Sequence, residues 1–280
     1  MISSVAIEKE KKALAATGEI VDAMKAYAGV AIRKTEELIA NVREYEGNVL
    51  AALAECMFRN GLAGSLRPDG GKRLLVAFGS SQGLCGPFNE KMADVVGDIM
   101  GAGDALFVIG ERLRSSLEMR GIAVEGFHDS VVSVGGIAAV LRECLAQLLA
   151  VYRESAFYTL TLVCLSFSAG SARVTVEQVL PPDVERVPAV QAGRPPVLLY
   201  LDRELVFERL LEEFLGISLY RCFLESLRSE NRYRLSSMEG ASENIKRRIA
   251  ELDSLEKYVR QEEVTEEMLE ILGSGGFFGR

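Results

Sequence analysis

An α/β domain inserted between two long helices that pair antiparallel as a coiled coil is the fold class this sequence predicts, and three observations predict it. Near the N-terminus Val21, Met24, Ala28, Ala31, Thr35, Leu38, Val42, Tyr45 and Val49 recur at alternating steps of three and four, the 3.5-residue mean of a left-handed coiled coil. The same steps run near the C-terminus from Ile217, Tyr220, Leu224, Leu227, Asn231, Arg234 and Met238 through Ala241, Ile245, Arg248, Leu252, Leu255 and Val259. Between them short apolar runs alternate with helical patterns, the order of a mainly parallel, Rossmann-like sheet with helices on its faces. The two ends must meet in space to bury their seams, which describes a shaft carrying a small domain.

The first helix is expected from Ile2 to Met57, weakened at Gly18, Gly29 and Gly47, each costing up to ~1 kcal/mol against Ala in a helix interior. Asn60-Gly61, Gly64 and Pro68-Asp69-Gly70-Gly71 then form a turn-rich break. A strand follows at Arg73 to Phe78, a helix at Pro87 to Met100, a strand at Leu106 to Ile109, a helix at Glu111 to Met119 and a short strand near Val124. Helix Gly136 to Tyr152, the β-branched and aromatic run Phe157 to Ser168, and a hairpin partner at Ala172 to Val179 complete the sheet. Pro181-Pro182, Pro188 and Pro195-Pro196 mark an irregular exit. The last helix runs from Asp202 to Leu272, roughly 100 Å at 1.5 Å per residue, provided Gly216 and Gly240 do not break it. The expected segments are therefore a helix over 1–58, an α/β domain over 72–200 and a helix over 202–273.

A net charge of −8 with a pI near 5.0 argues against a nucleic-acid partner, because phosphate binding draws on clustered Lys and Arg. Cys56, Cys85, Cys144, Cys164 and Cys222 are scattered without a CxxC pair, which reads as buried free thiols in a reducing compartment. The N-terminus lacks the pattern of a signal or transit peptide, so export is not expected. Val131 to Tyr152 is interrupted by Arg142 and Glu143, and Phe157 to Phe167 has about half of the ~20 residues a span requires.

The segment from Gly79 to Gly86, Gly-Ser-Ser-Gln-Gly-Leu-Cys-Gly, follows a strand and opens a helix, where open α/β sheets place a phosphate loop. It lacks the Gly-Lys-Ser/Thr ending that supplies a lysine to phosphates and a hydroxyl to magnesium. His128 is the single histidine, with no Cys or carboxylate grouping at ligand spacing around it. Cys85 stands near a helix N-terminus, which can depress a thiol pKa, but no base adjoins it. No catalytic residue, cofactor or metal site is assigned. Asn231, Arg234 and Arg248 occupy seam positions where Leu or Ile would stabilise, so they fix register or face a partner.

Asp22-Ala-Met-Lys25 with Ile32-Arg-Lys34, Gly83-Leu-Cys-Gly-Pro-Phe-Asn89, Glu225-Ser-Leu-Arg-Ser-Glu230, Arg234-Leu-Ser-Ser-Met238 and Arg260-Gln-Glu-Glu-Val-Thr265 together resemble, in the right order, the gamma subunit of F-type rotary ATP synthases. The resemblance covers nearly the whole chain. It implies a non-catalytic central stalk that contacts the alpha and beta subunits of the catalytic head, the epsilon subunit and the membrane c-ring, peripheral on the cytoplasmic face of the bacterial inner membrane. By the same resemblance Arg260, Gln261 and Thr265 would hydrogen-bond a catalytic subunit's loop, and Met24, Glu230 and Arg234 would shape a contact lower on the stalk. Ser80-Ser81-Gln82 stands where the family shows Ser-Asp-Arg, so a charged contact common in relatives is missing at Gln82. The tail Gly275-Gly-Phe-Phe-Gly-Arg280 replaces a small-residue ending, and Phe277 and Phe278 are expected either to meet the head's apolar sleeve or to be disordered. The wording of the Arg260–Thr265 segment is also similar to the alternate, sodium-linked branch, although the translocated ion is set by membrane subunits. Read from the residues alone, a Rossmann-like nucleotide-binding enzyme with coiled-coil oligomerisation arms and an unrelated coiled-coil scaffold stay open.

Overall fold

Strand β1 (Arg73–Phe78) is apolar without a break from Leu74 to Phe78, and such a run is stable as a strand only where both faces are covered. The computed structural model, which describes residues 4–59, 72–154, 157, 159–168, 171–183 and 201–275, places it at the centre of a five-stranded sheet ordered β3-β2-β1-β4-β5. β2 (Ala105–Ile109) and β4 (Thr159–Ser168) flank β1 in parallel, β3 (Gly126–His128) adds parallel to β2, and β5 (Ser171–Leu180) returns antiparallel to β4 as the hairpin partner. The mainly parallel, Rossmann-like sheet expected from the alternation is present.

The period of two along β1 sorts its side chains. Leu74, Val76 and Phe78 enter one core with α4 (Ile137–Glu154) and with parts of α1 (Ser4–Arg59) and α5 (Arg203–Gly275). Leu75 and Ala77 enter a second core with α2 (Phe88–Ile99) and α3 (Glu111–Glu118). In the first core Phe223 of α5 meets Phe78 edge-on, with ring centroids 5.1 Å apart, the arrangement that the ring quadrupoles favour. The stretch Val134–Tyr152, which enters α4 at Ile137, is long and apolar enough to cross a membrane by length and composition, with a mean hydropathy of 1.6. Here Ile137, Cys144 and Leu148 are fully buried in the core while Arg142 and Glu143 face solvent.

By packing, the chain forms two compact units, residues 28–234 and residues 1–27 with 235–280. The first holds the sheet together with the inner parts of α1 and α5. Their apolar faces sit in one core with it: Ile39, Val49, Leu53 and Met57 from α1, and Leu215, Leu219, Phe223 and Leu227 from α5. Arg43 reaches Glu225 and Glu36 reaches Arg232, so the α5 partner's number falls as the α1 number rises, which is antiparallel pairing. In the second unit Glu10 pairs with Arg248, Lys11 with Asp253 and Glu256, and the Ser4 amide donates to Glu263. The outer parts of the two helices are antiparallel as well. The irregular segments 60–71 and 184–200 lie outside the described residues.

Several expected details differ. The short strand lies at Gly126–His128 instead of at Val124, because Ile122 and Val124 pack into the second core before the chain comes alongside β2. Gly126 suits that register, since a Cβ there would stand 2.5 Å from the Phe107 ring. Neither Gly216 nor Gly240 breaks α5, and α1 is uninterrupted through Gly18, Gly29 and Gly47. Tyr45, Arg248 and Leu255 are expected on the seam but are exposed, while Ile32 and Ile39 are buried in α1 outside it. The inner part of α1 faces the sheet as well as α5, so its buried stripe is wider than a two-helix seam.

Phe223→Ala is expected to lower the unfolding free energy by about 3–5 kcal/mol, read from urea titration of the chain. Gly47 is exposed in the middle of α1, and a methyl added there would meet nothing within 4 Å. Gly47→Ala is expected to raise stability by roughly 0.5–1 kcal/mol, seen as a higher melting temperature.

Candidate functional site

The loop between β1 and α2 is built by glycines and one buried serine. At Gly79 a Cβ would lie 2.2 Å from Leu113, and Gly110, with φ of 109°, packs directly against the same turn. The Gly79 amide donates to the Ile109 carbonyl at 2.7 Å, and the Arg112 amide donates to the Ser80 carbonyl at 2.9 Å, locking the loop to the end of β2. Ser80 is fully buried. Its amide donates to Asn89 Oδ1 at 3.0 Å, its hydroxyl donates to the Gln82 carbonyl at 2.8 Å, and Asn89 Nδ2 returns a bond to that hydroxyl at 2.9 Å. These bonds occupy the loop's inner polar groups with the chain's own atoms, and no lysine is among them. Leu84 is held at φ 63° and is 59% exposed, a conformation that costs a branched L-residue about 1–2 kcal/mol.

Arg234, near the end of the inner part of α5, closes this loop from the other side. It is 3% exposed, and its Nη2 donates to the Gly83 carbonyl at 3.2 Å. The same nitrogen pairs with Glu230 one turn earlier, and Nη1 donates to Asn231 Oδ1 at 3.1 Å. Asn231, with no exposed surface, donates in turn to the Leu227 carbonyl. Burial pushes the Glu230 carboxyl above its ordinary value, against the pull of Arg234. Burial likewise raises the Cys85 thiol, more than the Ser80 hydroxyl bond lowers it, so the thiol stays protonated. The sequence motifs containing Gly83, Glu230 and Arg234 are thus brought together in one place. Glu230 and Arg234 are expected to shape a partner contact, yet at 4% and 3% exposure they turn inward to the loop. Gln82 is exposed at its rim.

In the other unit Met24 is half-buried, and Arg260, Gln261 and Thr265 are exposed on α5. Arg260 pairs with Glu256 at 2.9 Å, the carboxylate that also takes Lys11 of α1. Thr265 Oγ1 donates to the Gln261 carbonyl at 2.7 Å, fixing the rotamer of its side chain against the helix. Beyond Glu263, which the Ser4 amide meets, Val264, Met268, Leu269, Ile271 and Leu272 are 55% to 72% exposed. A run of that kind in a soluble helix marks a surface that another molecule covers. Phe277 and Phe278 lie outside the described residues. Sequence reasoning missed this exposed run, and the signal available was five large apolar residues, Val264, Met268, Leu269, Ile271 and Leu272, within the last turns of the helix.

His128 and the cysteines are the remaining candidates. His128 Nδ1 is 2.9 Å from the Asp129 carbonyl and its Nε2 is 3.8 Å from Glu143. All five cysteines are buried free thiols. Among the described residues no group of three or more His, Cys, Asp or Glu is placed to hold a metal.

A family model described as ATP synthase matches residues 3–275. The ATP synthase gamma chain of Geotalea uraniireducens (strain Rf4) is 26% identical over 284 residues, covering 97% of each chain. That of Bdellovibrio bacteriovorus is 29% identical over 276 residues, covering 91% of this chain and 92% of its own. Among solved structures, a chain of the Tetrahymena thermophila mitochondrial ATP synthase central stalk and c-ring superposes with a TM-score of 0.61 at 21% identity, over 80% of this chain and 99% of that one. One from the Euglena gracilis mitochondrial ATP synthase has a TM-score of 0.53 at 14% identity, over 92% and 98%.

Removing Arg234 leaves a carboxylate buried without its counter-charge, so Arg234→Met is expected to cost about 3–5 kcal/mol of stability, and the double variant E230Q/R234M to recover part of it. Because the folded-state pKa of Glu230 is raised, its contribution is most favourable at pH below the ordinary value of 4.5 and is lost as pH climbs from there through the raised value. Urea titrations across that window should show the decline in the wild type and a flatter profile in E230Q.

Proposed function

This chain belongs to the ATP synthase family, as one of its gamma chains, and from that premise we propose that its two terminal helices carry rotation between a membrane c-ring and a catalytic head. It is the non-catalytic rotor subunit of the complex, coupling ion-driven rotation to ATP synthesis or hydrolysis at the beta subunits. It is peripheral to the membrane, as part of a membrane-bound complex. We place it on the cytoplasmic face of a bacterial inner membrane.

The single observation that supports this reading best is the end of α5, where, beyond the Ser4–Glu263 link, the helix carries exposed apolar side chains from Val264 to Leu272. A ring of alternating alpha and beta subunits with an apolar bore would cover such a surface. Arg260, Gln261 and Thr265 stand at the start of that stretch, where exposed polar groups would bond a loop of one catalytic subunit. Phe277 and Phe278 would meet the same sleeve further along the chain.

Glu230 and Arg234 would act on a partner indirectly. They set the Gly83 carbonyl and with it the loop that displays Gln82 and Leu84, while Met24 contributes from α1. The sheet-bearing unit would meet the epsilon subunit and the c-ring. Two non-identical helices present a different face to each of three chemically identical beta subunits at any rotor angle. Each face stabilises a different nucleotide-bound state, and rotation therefore changes affinities in sequence.

Alone, the chain is expected to hydrolyse no ATP; added to the alpha and beta subunits it should restore steady hydrolysis. Arg260→Ala, Gln261→Ala and Thr265→Ala are each expected to slow that hydrolysis by roughly 5- to 30-fold, the equivalent of one lost interface hydrogen bond of about 1–2 kcal/mol, without changing the chain's melting temperature. Full activity in all three would remove them from the contact.

A further inference from the structure

Arg221 of α5 is 5% exposed and bonds to two other elements of the fold. Its Nε donates to Glu46 Oε2 of α1 at 2.6 Å, and its Nη2 donates to Glu177 Oε2 of β5 at 2.6 Å. Ser218, one turn before it, donates to the other Glu46 oxygen at 2.6 Å. One turn after it, Glu225 repeats the pattern with opposite sign: it takes Arg43 of α1 at 2.6 Å and stands 4.0 Å from the Cys164 thiol of β4. Arg221 Nη1 and Glu225 Oε1 are 3.9 Å apart. Two consecutive turns of α5 thus reach both the other helix and the sheet, on a ladder of charges inside the first compact unit.

We propose that Arg221 is the positioning residue that locks the sheet to both helices in torsion, so that torque applied to the sheet enters α1 and α5 together. This rests on the rotor function proposed above. The hydrophobic effect that holds a helix on a sheet is non-directional and does not by itself specify one register. A guanidinium fork has fixed geometry and satisfies two carboxylates on different elements at a single register. Rotating α5 about its axis, or sliding it along α1, would pull Arg221 from Glu46 or Glu177 and leave a charge buried without a partner. Among the described residues, Ser229 donates to the Leu165 carbonyl at 2.6 Å and Arg228 to the Phe167 carbonyl at 3.0 Å, both on β4, and Glu225 links Arg43 of α1 with the more distant Cys164 thiol of β4. Arg221 is the side chain through which α5 holds charged partners on both α1 and β5 at hydrogen-bond distance.

The test uses the whole complex reconstituted with its alpha, beta, epsilon and membrane-ring partners. With the head immobilised and a probe on the ring, angular fluctuations at stall report torsional stiffness, and ion uptake per ATP hydrolysed reports coupling. Glu177→Met removes the tie to the sheet while Arg221 keeps Glu46, and Arg221→Met removes both. Stiffness is expected to fall by roughly twofold in E177M and further in R221M, as the directional links at this node give way to apolar contact. Ion uptake per ATP should fall with it, and hydrolysis by the subcomplex lacking the ring, in which the sheet bears no load, should be unchanged. Unaltered stiffness and uptake in both variants, with or without a lower melting temperature, would overturn the proposal. A wild-type chain that restores neither hydrolysis nor rotation would instead overturn the rotor function, and the clamp along with it, before any variant is made.

Discussion

The fold depends on one constraint: α1 and α5 each carry an apolar stripe that neither can bury alone. An isolated helix gains little from its own hydrogen bonds in water, and most helical stability in proteins comes from covering such a face. Here the inner parts of the two stripes are covered by each other and by the same face of the sheet, through Leu53, Met57, Leu219 and Phe223 against Phe78 and its neighbours. The central strand from Leu74 and β2 are in turn wholly apolar and need cover on both sides, which α2 and α3 provide opposite. Sheet and helices are therefore mutually required within the unit of residues 28–234.

Apolar burial decides that these elements associate, and charge decides how they are aligned. The antiparallel register is marked by cross-helix pairs: Glu10 with Arg248 and Lys11 with Asp253 in one unit, Arg43 with Glu225 and Glu46 with Arg221 in the other. The exposed pairs contribute little, as surface ion pairs do. The buried ones are different, because a shifted register would strand a charge away from water. Glu230 and Arg234 follow the same logic one step further along α5, where they hold a backbone carbonyl of the β1–α2 loop instead of a neighbouring helix.

Legibility in the sequence followed how local each signal is. The runs Leu74–Phe78 and Leu106–Ile109 announce themselves, since continuous apolar strands bounded by turns fit few other structures. The seam residues Val21, Ala28, Ala31, Thr35 and Val49 are buried where the heptad places them, but Tyr45 is 48% exposed, its hydroxyl donating to Glu213. A strict seven-residue template drifts against a helix that must face a sheet as well as another helix. The burial of Glu230 and Arg234 was not legible, because a charged motif reads as a contact surface until its partners are known. Arg221 left no signal at all: Glu46 and Glu177 are 175 and 44 residues away in the chain.

A rotor element has a requirement that an ordinary domain does not, and the distribution of polar groups follows from it. A domain needs only to remain associated, whereas an element that passes torque must also resist rotation about an axis along which its apolar contacts are nearly interchangeable. Directional bonds are the groups that supply such resistance, and they are strongest where water cannot compete for them. Along α5 the buried polar residues crowd between Ser218 and Arg234, where the helix meets the sheet and the β1–α2 loop. Beyond Glu263 large apolar side chains are exposed instead. That separation is what torque transfer at one place and turning within an apolar sleeve at another would require of a single helix: polar locking where motion must be shared, and unlocked apolar surface where the helix has to slip past its surroundings.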